Sequence, residues 1–287
     1  MGVPFSAHLD WLSFVIRCPV ADDIYTPSAI PPGAIRAIAA EFGRETTSLL
    51  FNNAPSLRRG RAPYRWGFKD EQSKAVCWYG GRSDHLTVEL PGQSCDWARR
   101  LSLEGDLITM GRGLCSRIDI AVDLQSILSP FELTREIIPG RTKSRSDMTS
   151  SSGETVYLGS QKSEHYARVY RYRAPHPRSD LLRVEFVARR DRAKAVLEAV
   201  DDYGVMGIVR QLWEELQLPN QIDFEEENQN LPLNAARPER GGQNTISWLI
   251  NQAAPAFNRM IKEGHIVDGE KFLKQYFLTG GEKDYPF

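Results

Sequence analysis

Hydrophobic and polar positions alternate along much of this chain, and the alternation predicts strands before it predicts helices. His8-Leu-Asp-Trp-Leu-Ser-Phe-Val-Ile16 is aromatic and branched and is closed by Pro19, so it reads as a strand. Ala75 to Tyr79, His85 to Leu90 and Ser116 to Leu124 repeat the pattern between glycine-rich turns. Thr155 to Gly159, His165 to Tyr172 and Leu181 to Ala188 continue it. Helical spacing appears at Gly33 to Phe42 and at Asp191 to Asp202. A further helix should start at Ser129, with Pro130 in its first position and Glu132 completing a capping box.

Two stretches lack either period. Asn52 to Arg65 reads as a basic loop, and Arg141 to Glu154 as a Ser/Thr-rich linker. In the C-terminal third, Val205, Ile208, Val209, Leu212, Trp213 and Leu216 share one helical face. Gln221 to Gln243 is a polar linker, and Ile246 to Ile261 forms a second amphipathic stripe interrupted by Pro255. The expected fold class is α+β: a twisted antiparallel sheet with flanking helices and a helical C-terminal region. Residues 1–202 would form the chemical domain and 203–287 the helical region. His85-Leu-Thr-Val-Glu-Leu90 and Leu181-Leu-Arg-Val-Glu-Phe186 each set a glutamate in an apolar strand, which suggests two related half-units.

Composition narrows the classes. With 41% hydrophobic and 25% charged residues, 287 residues can bury a sizeable core. No stretch approaches the roughly 18 apolar residues of a membrane span, and no export signal opens the chain, so a cytoplasmic protein is expected. Cys18, Cys77, Cys95 and Cys115 lie far apart without a C-x-x-C pair, the pattern of buried reduced thiols. The net charge of −1 hides an asymmetry. Arg141 to Arg192 holds 12 Lys/Arg against 6 Asp/Glu, whereas Ala195 to Phe287 holds 8 against 15. A basic middle suits a phosphate-bearing partner, though a solvated face would look the same.

The candidate chemistry lies on the strands. Asp119 and Asp123, four apart in a strand, share one face, while Ile118, Ile120, Val122 and Leu124 take the other. Arg183 and Glu185 likewise oppose Leu182, Val184 and Phe186, and Glu89 stands alike in the earlier strand. Crowded carboxylates take up protons unless a cation holds them, and Mg²⁺ or Mn²⁺ prefers such oxygens. Acids on a wet sheet face paired with arginine are the plainer reading. Arg168, Tyr170 and Tyr172 share a face of the next strand. A phenol with a pKa of about 10 needs a neighbouring cation to act as a nucleophile at neutral pH. Arg58, Arg59, Arg61 and Arg65 interleave with Tyr64 and Trp66, which suits single-stranded nucleic acid and equally a solvated hairpin tip. Lys162, Arg171 and Arg173 are further candidate DNA contacts.

The stretches His8–Phe14, Val88–Cys95, Ser116–Leu124, Thr155–Ser163, Ala167–Tyr172 and Leu182–Phe186, in that order, resemble the transfer-type rolling-circle replication initiators. That family includes plasmid and filamentous-phage initiators and related relaxases. The resemblance implies a DNA endonuclease and strand transferase in which Tyr170 is the nicking tyrosine, leaving a 5′-phosphotyrosine and a free 3′-hydroxyl. It implies a divalent metal near Glu89, Asp119 and Glu185, with Asp123 a further candidate, and Arg168 and Arg183 as charge stabilisers. The plasmid pattern continues with Asn-Lys after the tyrosine, whereas this chain has Arg171-Tyr172. Tyr172 therefore stays an alternative nucleophile, and Arg173 stands in for the missing lysine. No Gly-x-x-x-x-Gly-Lys-Ser/Thr loop occurs, so a host helicase would unwind and a host polymerase extend. Origin DNA, single-stranded at the nick, is the expected partner, and the acidic helical region would dimerise or recognise the origin. A relaxase, a non-catalytic origin-binding protein and an RNA-binding module using Tyr166, Tyr170 and Tyr172 remain competing readings.

Overall fold

The computed structural model describes residues 5–18, 30–51, 56–81, 84–135, 145–150, 153–171, 181–216 and 218. Among them, ten strands form one antiparallel sheet. β1 (Phe5–Arg17) is followed by helices α1 (Pro32–Phe42) and α2 (Arg44–Leu50). Then come β2 (Ser56–Arg59), β3 (Tyr64–Lys69), β4 (Val76–Gly81) and β5 (His85–Pro91). Helices α3 (Gly92–Arg100) and α4 (Glu104–Met110) lead into β6 (Cys115–Leu124) and the short α5 (Pro130–Leu133). β7 (Arg145–Ser150), β8 (Gly153–Leu158), β9 (His165–Arg171) and β10 (Leu182–Arg189) complete the sheet before α6 (Arg190–Glu215).

The strand order is β2-β3-β4-β5-β1-β6-β10-β9-β8-β7. It reads as one arrangement used twice: an inner strand, then four strands added outward in reverse chain order. β1 corresponds to β6, β5 to β10 and β4 to β9, with β1 and β6 paired at the middle. The two glutamate strands singled out in the sequence, β5 and β10, therefore occupy equivalent places.

One face of the sheet is apolar. Leu12, Phe14, Ile118, Ile120, Val184 and Phe186 pack there against helix residues such as Ile38, Phe42, Val196 and Trp213. Phe14 meets Phe42 edge-on at 4.9 Å, and Phe186 meets Trp213 at 6.4 Å. The α6 stripe Ile208, Val209, Leu212 and Trp213 is thus part of this core. The boundary expected at 202/203 falls within α6, beside Gly204, whose φ of 71° interrupts the helical backbone. The linker 221–243 and the stripe 246–261 lie outside the described residues.

Two expected loops contain strands. β2 falls within Asn52 to Arg65 and β7 within Arg141 to Glu154, and each is an outermost strand of the sheet. An edge strand has one neighbour and much solvent, so it carries no apolar alternation to read. α2, α3 and α4 are also additions; at 7–9 residues they are too short to show a clear period. The capping box is present, Ser129 Oγ accepting from Glu132 N at 3.2 Å and Glu132 Oε2 accepting from Ser129 N at 2.7 Å. All four cysteines are buried and free. No described helix is long and apolar enough to cross a membrane.

Candidate functional site

The other face of the sheet concentrates charge at its second half. β6 contributes Arg117, Asp119 and Asp123, β10 contributes Arg183 and Glu185, and β9 contributes Tyr166, Arg168 and Tyr170. Register brings these together: Arg183 lies opposite Asp123 and Tyr170, and Glu185 opposite Arg168. The inner strand β1 adds a shift in register between Leu9 and Trp11. A bulge places two successive residues on one side, so Asp10 and Trp11 both join the polar face while Leu9 and Leu12 stay in the core.

Two connected clusters result. Glu185 is fully buried, and its Oε2 accepts from Arg168 Nε at 2.7 Å and from the Tyr170 hydroxyl at 3.0 Å. Arg168 also reaches Glu185 Oε1, and its guanidinium lies 5.6 Å from the Tyr170 ring centre. Asp119, likewise 0% exposed, hydrogen-bonds Glu185 and is gripped by Arg117 at 2.8 and 2.5 Å. Arg117 in turn stacks 4.5 Å over the Trp11 ring. In the second cluster Arg183, 1% exposed, donates to Asp123 at 2.6 and 2.8 Å and to Asp10 at 2.9 Å. His8 Nε2 is 3.4 Å from Arg183 and 4.0 Å from Asp123.

Burial pulls the paired acids apart. Desolvation pushes Asp119 up to about 7 against the pull of Arg117, and the Glu185 charge adds to the rise. Burial works on Glu185 in the same direction, but Arg168, Tyr170 and Asp119 all bond its charged form, and its pKa falls below the ordinary range. The pair therefore carries one proton in mildly acid solution, on Asp119, and releases it around pH 7. Desolvation also raises Asp10, in spite of Arg183. Arg168 and Arg183 stay charged, each held above its ordinary value by its carboxylates against burial.

The four acids singled out as metal ligands do not form one group. Glu89 lies on β5, two strands from Asp119 and roughly 12 Å away by strand spacing. There it accepts from Trp78 Nε1 at 2.8 Å and from Arg61. Asp123 is taken up by Arg183. No three His, Cys, Asp or Glu side chains gather to hold a metal among the described residues. Asp119 and Glu185 are adjacent carboxylates, but Arg117 holds both oxygens of the first and Arg168 and Tyr170 those of the second, so a divalent ion would have to displace some of these partners. Mg²⁺ is often held by only one or two carboxylates, with substrate phosphate and water as the remaining ligands.

Of the candidate DNA contacts, Arg58, Arg61, Arg65 and Lys162 are exposed. Arg61 lies 4.5 Å over Trp78 and Arg65 lies 5.3 Å over Trp66. Arg59 belongs to β2, but its side chain is outside the description. Arg171 is turned to backbone, donating to the Ser126 carbonyl and to that of Leu128 at 2.9 Å. Tyr172 and Arg173 lie outside the described residues. Asp10 and Trp78 escape a reading of alternation: a bulge hides the first, and only strand register gives meaning to the second. The cue for Asp10 was a lone acid inside the aromatic run of β1.

No family model matches the chain, and neither does any curated protein. Among solved structures, the rolling circle replication initiator protein of Geobacillus stearothermophilus aligns with a TM-score of 0.53 at 19% identity. The match covers 79% of this chain and 89% of that one. The chain shares the fold of a rolling circle replication initiator. At that identity the likeness concerns the path of the backbone and leaves the chemistry to the residues described above.

Proposed function

We propose that this chain initiates replication by nicking one DNA strand with Tyr170 and later rejoining it. The observation that carries this reading is the Tyr170 phenol, bonded to buried Glu185 with Arg168 and Arg183 on either side. A phenol in solution is a weak nucleophile, but here a charged carboxylate accepts its proton and two guanidiniums favour the phenolate. The likeness in fold to a rolling circle replication initiator supports the same class.

In this reaction Tyr170 Oη attacks the scissile phosphorus and the bond to O3′ breaks. The phenol proton passes to Glu185, and the departing 3′ oxygen takes a proton from solvent. The 5′ phosphate stays on the tyrosine, so the energy of the phosphodiester is kept for rejoining. Arg168, about a third exposed, binds a non-bridging oxygen as charge builds on it, and the buried Arg183 favours that charge through space. Asp123 and Asp10 fix the Arg183 guanidinium in place beneath Tyr170. Asp119, with Glu185 through the oxygen not bonded to Tyr170, would hold Mg²⁺ or Mn²⁺ on displacing part of the grip of Arg117 and Arg168, and the ion would supply Lewis-acid polarisation of the phosphate when bound. Arg58, Arg61 and Arg65, beside Trp66 and Trp78, would engage the single-stranded part of the origin. Host helicase and polymerase would act on the nicked product, and the C-terminal region, residues 203–287, would serve origin recognition or dimerisation.

The test is incubation of the protein with single-stranded or supercoiled origin DNA and Mn²⁺, followed by mapping of the DNA-linked peptide. An adduct on Tyr170 is expected. An adduct on Tyr172 would move the nucleophile and keep the chemistry. Absence of any adduct while origin binding persists would leave a non-catalytic origin-binding protein.

A further inference from the structure

A basic cleft where the end of β1 and the start of β5 meet the turn before β6 and the start of α6 plays no part in the nicking chemistry. Val15 and Arg17 of β1, His85 of β5, residues 113–116 leading into β6, and Arg190, Asp191 and Lys194 of α6 line a space of about 440 Å³. Arg17 and His85 are direct cross-strand partners. Both fall on the face that carries Glu89 and Trp78, because strand alternation places 85, 87 and 89 together. The lining holds three permanent cations against one carboxylate, Asp191.

The cations of this cleft are weakly engaged. Lys194 Nζ is 3.2 Å from Asp191, Arg190 is 4.0 Å from Glu164, and His85 Nδ1 is 2.5 Å from Asp84. Asp191, Glu164 and Asp84 are all about half exposed or more, so these are solvated pairs that an incoming phosphate can replace. The first turn of α6 carries no side-chain cap hydrogen bond at Arg189. Arg190 sits at φ 56°, a left-handed conformation that arginine rarely adopts. Such strain is retained where a side chain is needed in place.

We infer that this cleft is a second seat for the phosphate backbone of single-stranded DNA. It would hold the strand several nucleotides away from the phosphate attacked by Tyr170. About nine residues of register and three strands separate the two places, roughly 30 Å on a flat sheet. The identity of the ligand rests on the nicking reading, whereas the phosphate chemistry rests on the cleft itself.

The test measures binding of labelled oligonucleotides of about 4 and about 16 nucleotides, the span of single-strand site sizes, by full-length protein over a range of salt. Arg17→Ala with Lys194→Ala should weaken the long oligonucleotide roughly tenfold. It should also lower the slope of log K against log salt by about 1.4, or 0.7 per lost phosphate contact. The short oligonucleotide should bind unchanged. Arg190→Gly should weaken the long oligonucleotide too, yet raise the melting temperature, because glycine accepts the left-handed backbone. A purely structural arginine would not give those opposite signs. Unchanged affinity and slope in both variants overturn the cleft, and the nicking reading stands if wild-type protein still forms an adduct. Loss of long-oligonucleotide binding without any adduct keeps the cleft and removes the nicking reading. A wild-type chain that binds neither oligonucleotide ends both.

Discussion

The two halves of the sheet share a topology and differ in chemistry. Glu89 and Glu185 occupy equivalent positions, each two residues beyond a partner on the same face, Thr87 and Arg183. By register, Trp78 opposite Thr87 corresponds to Tyr170 opposite Arg183. The likeness extends to the bond itself, since Trp78 Nε1 donates to Glu89 at 2.8 Å and the Tyr170 hydroxyl donates to Glu185 at 3.0 Å. An indole N–H can only donate, whereas a phenol that gives up its proton becomes a nucleophile. Val15 and Trp11 stand where the second half has Asp123 and Asp119. The same backbone thus supports a closed hydrogen bond in one half and a charged, reactive cluster in the other. What distinguishes them is a handful of side chains around one conserved geometry of strand pairing.

The largest test of this contrast replaces the two aromatic donors. Tyr170→Phe should abolish adduct formation, a loss on the order of 10⁶-fold, the scale seen when a covalent nucleophile is removed. Trp78→Phe should change nicking less than about tenfold, because it removes only a bond to a distant glutamate, a contribution of about 1 kcal/mol to stability. Quantifying covalent DNA–protein product over time separates the two. Comparable losses in both would show that the halves act as one site.

Next come the glutamates. Glu185→Gln keeps an acceptor for the phenol but not the charge that takes its proton, and should slow nicking by roughly 10²- to 10⁴-fold. Glu89→Gln should leave the rate nearly unchanged. A steep loss from Glu89→Gln would return that residue to the reactive centre, and single-turnover rates decide the matter.

Stability should distinguish the halves as well. Arg183→Met leaves buried Asp123 and half-buried Asp10 against an apolar side chain, and breaking such a network costs about 3–5 kcal/mol. Thr87→Val at the equivalent place removes one hydroxyl, which bonds Tyr64 at 2.6 Å, and should cost about 1 kcal/mol. Urea unfolding midpoints of the two variants would order them. Equal midpoints would mean that the Arg183 network adds no net stability.

Much of this contrast was legible before any coordinates. Alternation put Asp119, Asp123, Arg183 and Glu185 on one face, and the two Val-Glu strands hinted at repeated halves. What alternation cannot supply is register. It placed Glu89 with the other acids because a strand pattern states which face a residue takes, not how many strands away its neighbours lie. Trp78 looked like ordinary strand material for the same reason. Arg171 shows a second limit: its charge suggested a phosphate, but two carbonyls near Ser126 hold it. The edge strands β2 and β7 look like loops in sequence because solvent on their outer side removes the alternation that marks a strand.

The smallest expected effect concerns Asp119, whose counterpart Trp11 cannot titrate. Its pKa of about 7 in the folded chain stands well above the ordinary value of about 3.9 in the unfolded chain. The folded protein therefore keeps a proton that the unfolded chain releases between those values. Stability from this proton is fully present below about pH 4 and is lost as pH rises through about 7. Glu185 shifts the other way, so its contribution is present above its ordinary range and lost only in more acid solution. Asp10, which burial also raises, adds a change of the same sign, and Arg117 limits the Asp119 part by favouring the charged form. Asp119→Asn cannot ionise and removes this dependence, though it also weakens the grip of Arg117. The variant should thus gain stability relative to wild type on going from pH 5 to pH 8, measured by urea unfolding with a chelator present. The first half predicts no such trend, so Thr87→Val should differ from wild type by the same amount at both pH values. A pH-independent offset for Asp119→Asn would mean that Asp119 and Glu185 do not share a proton, and the reactive half would be less unlike its partner than its side chains imply.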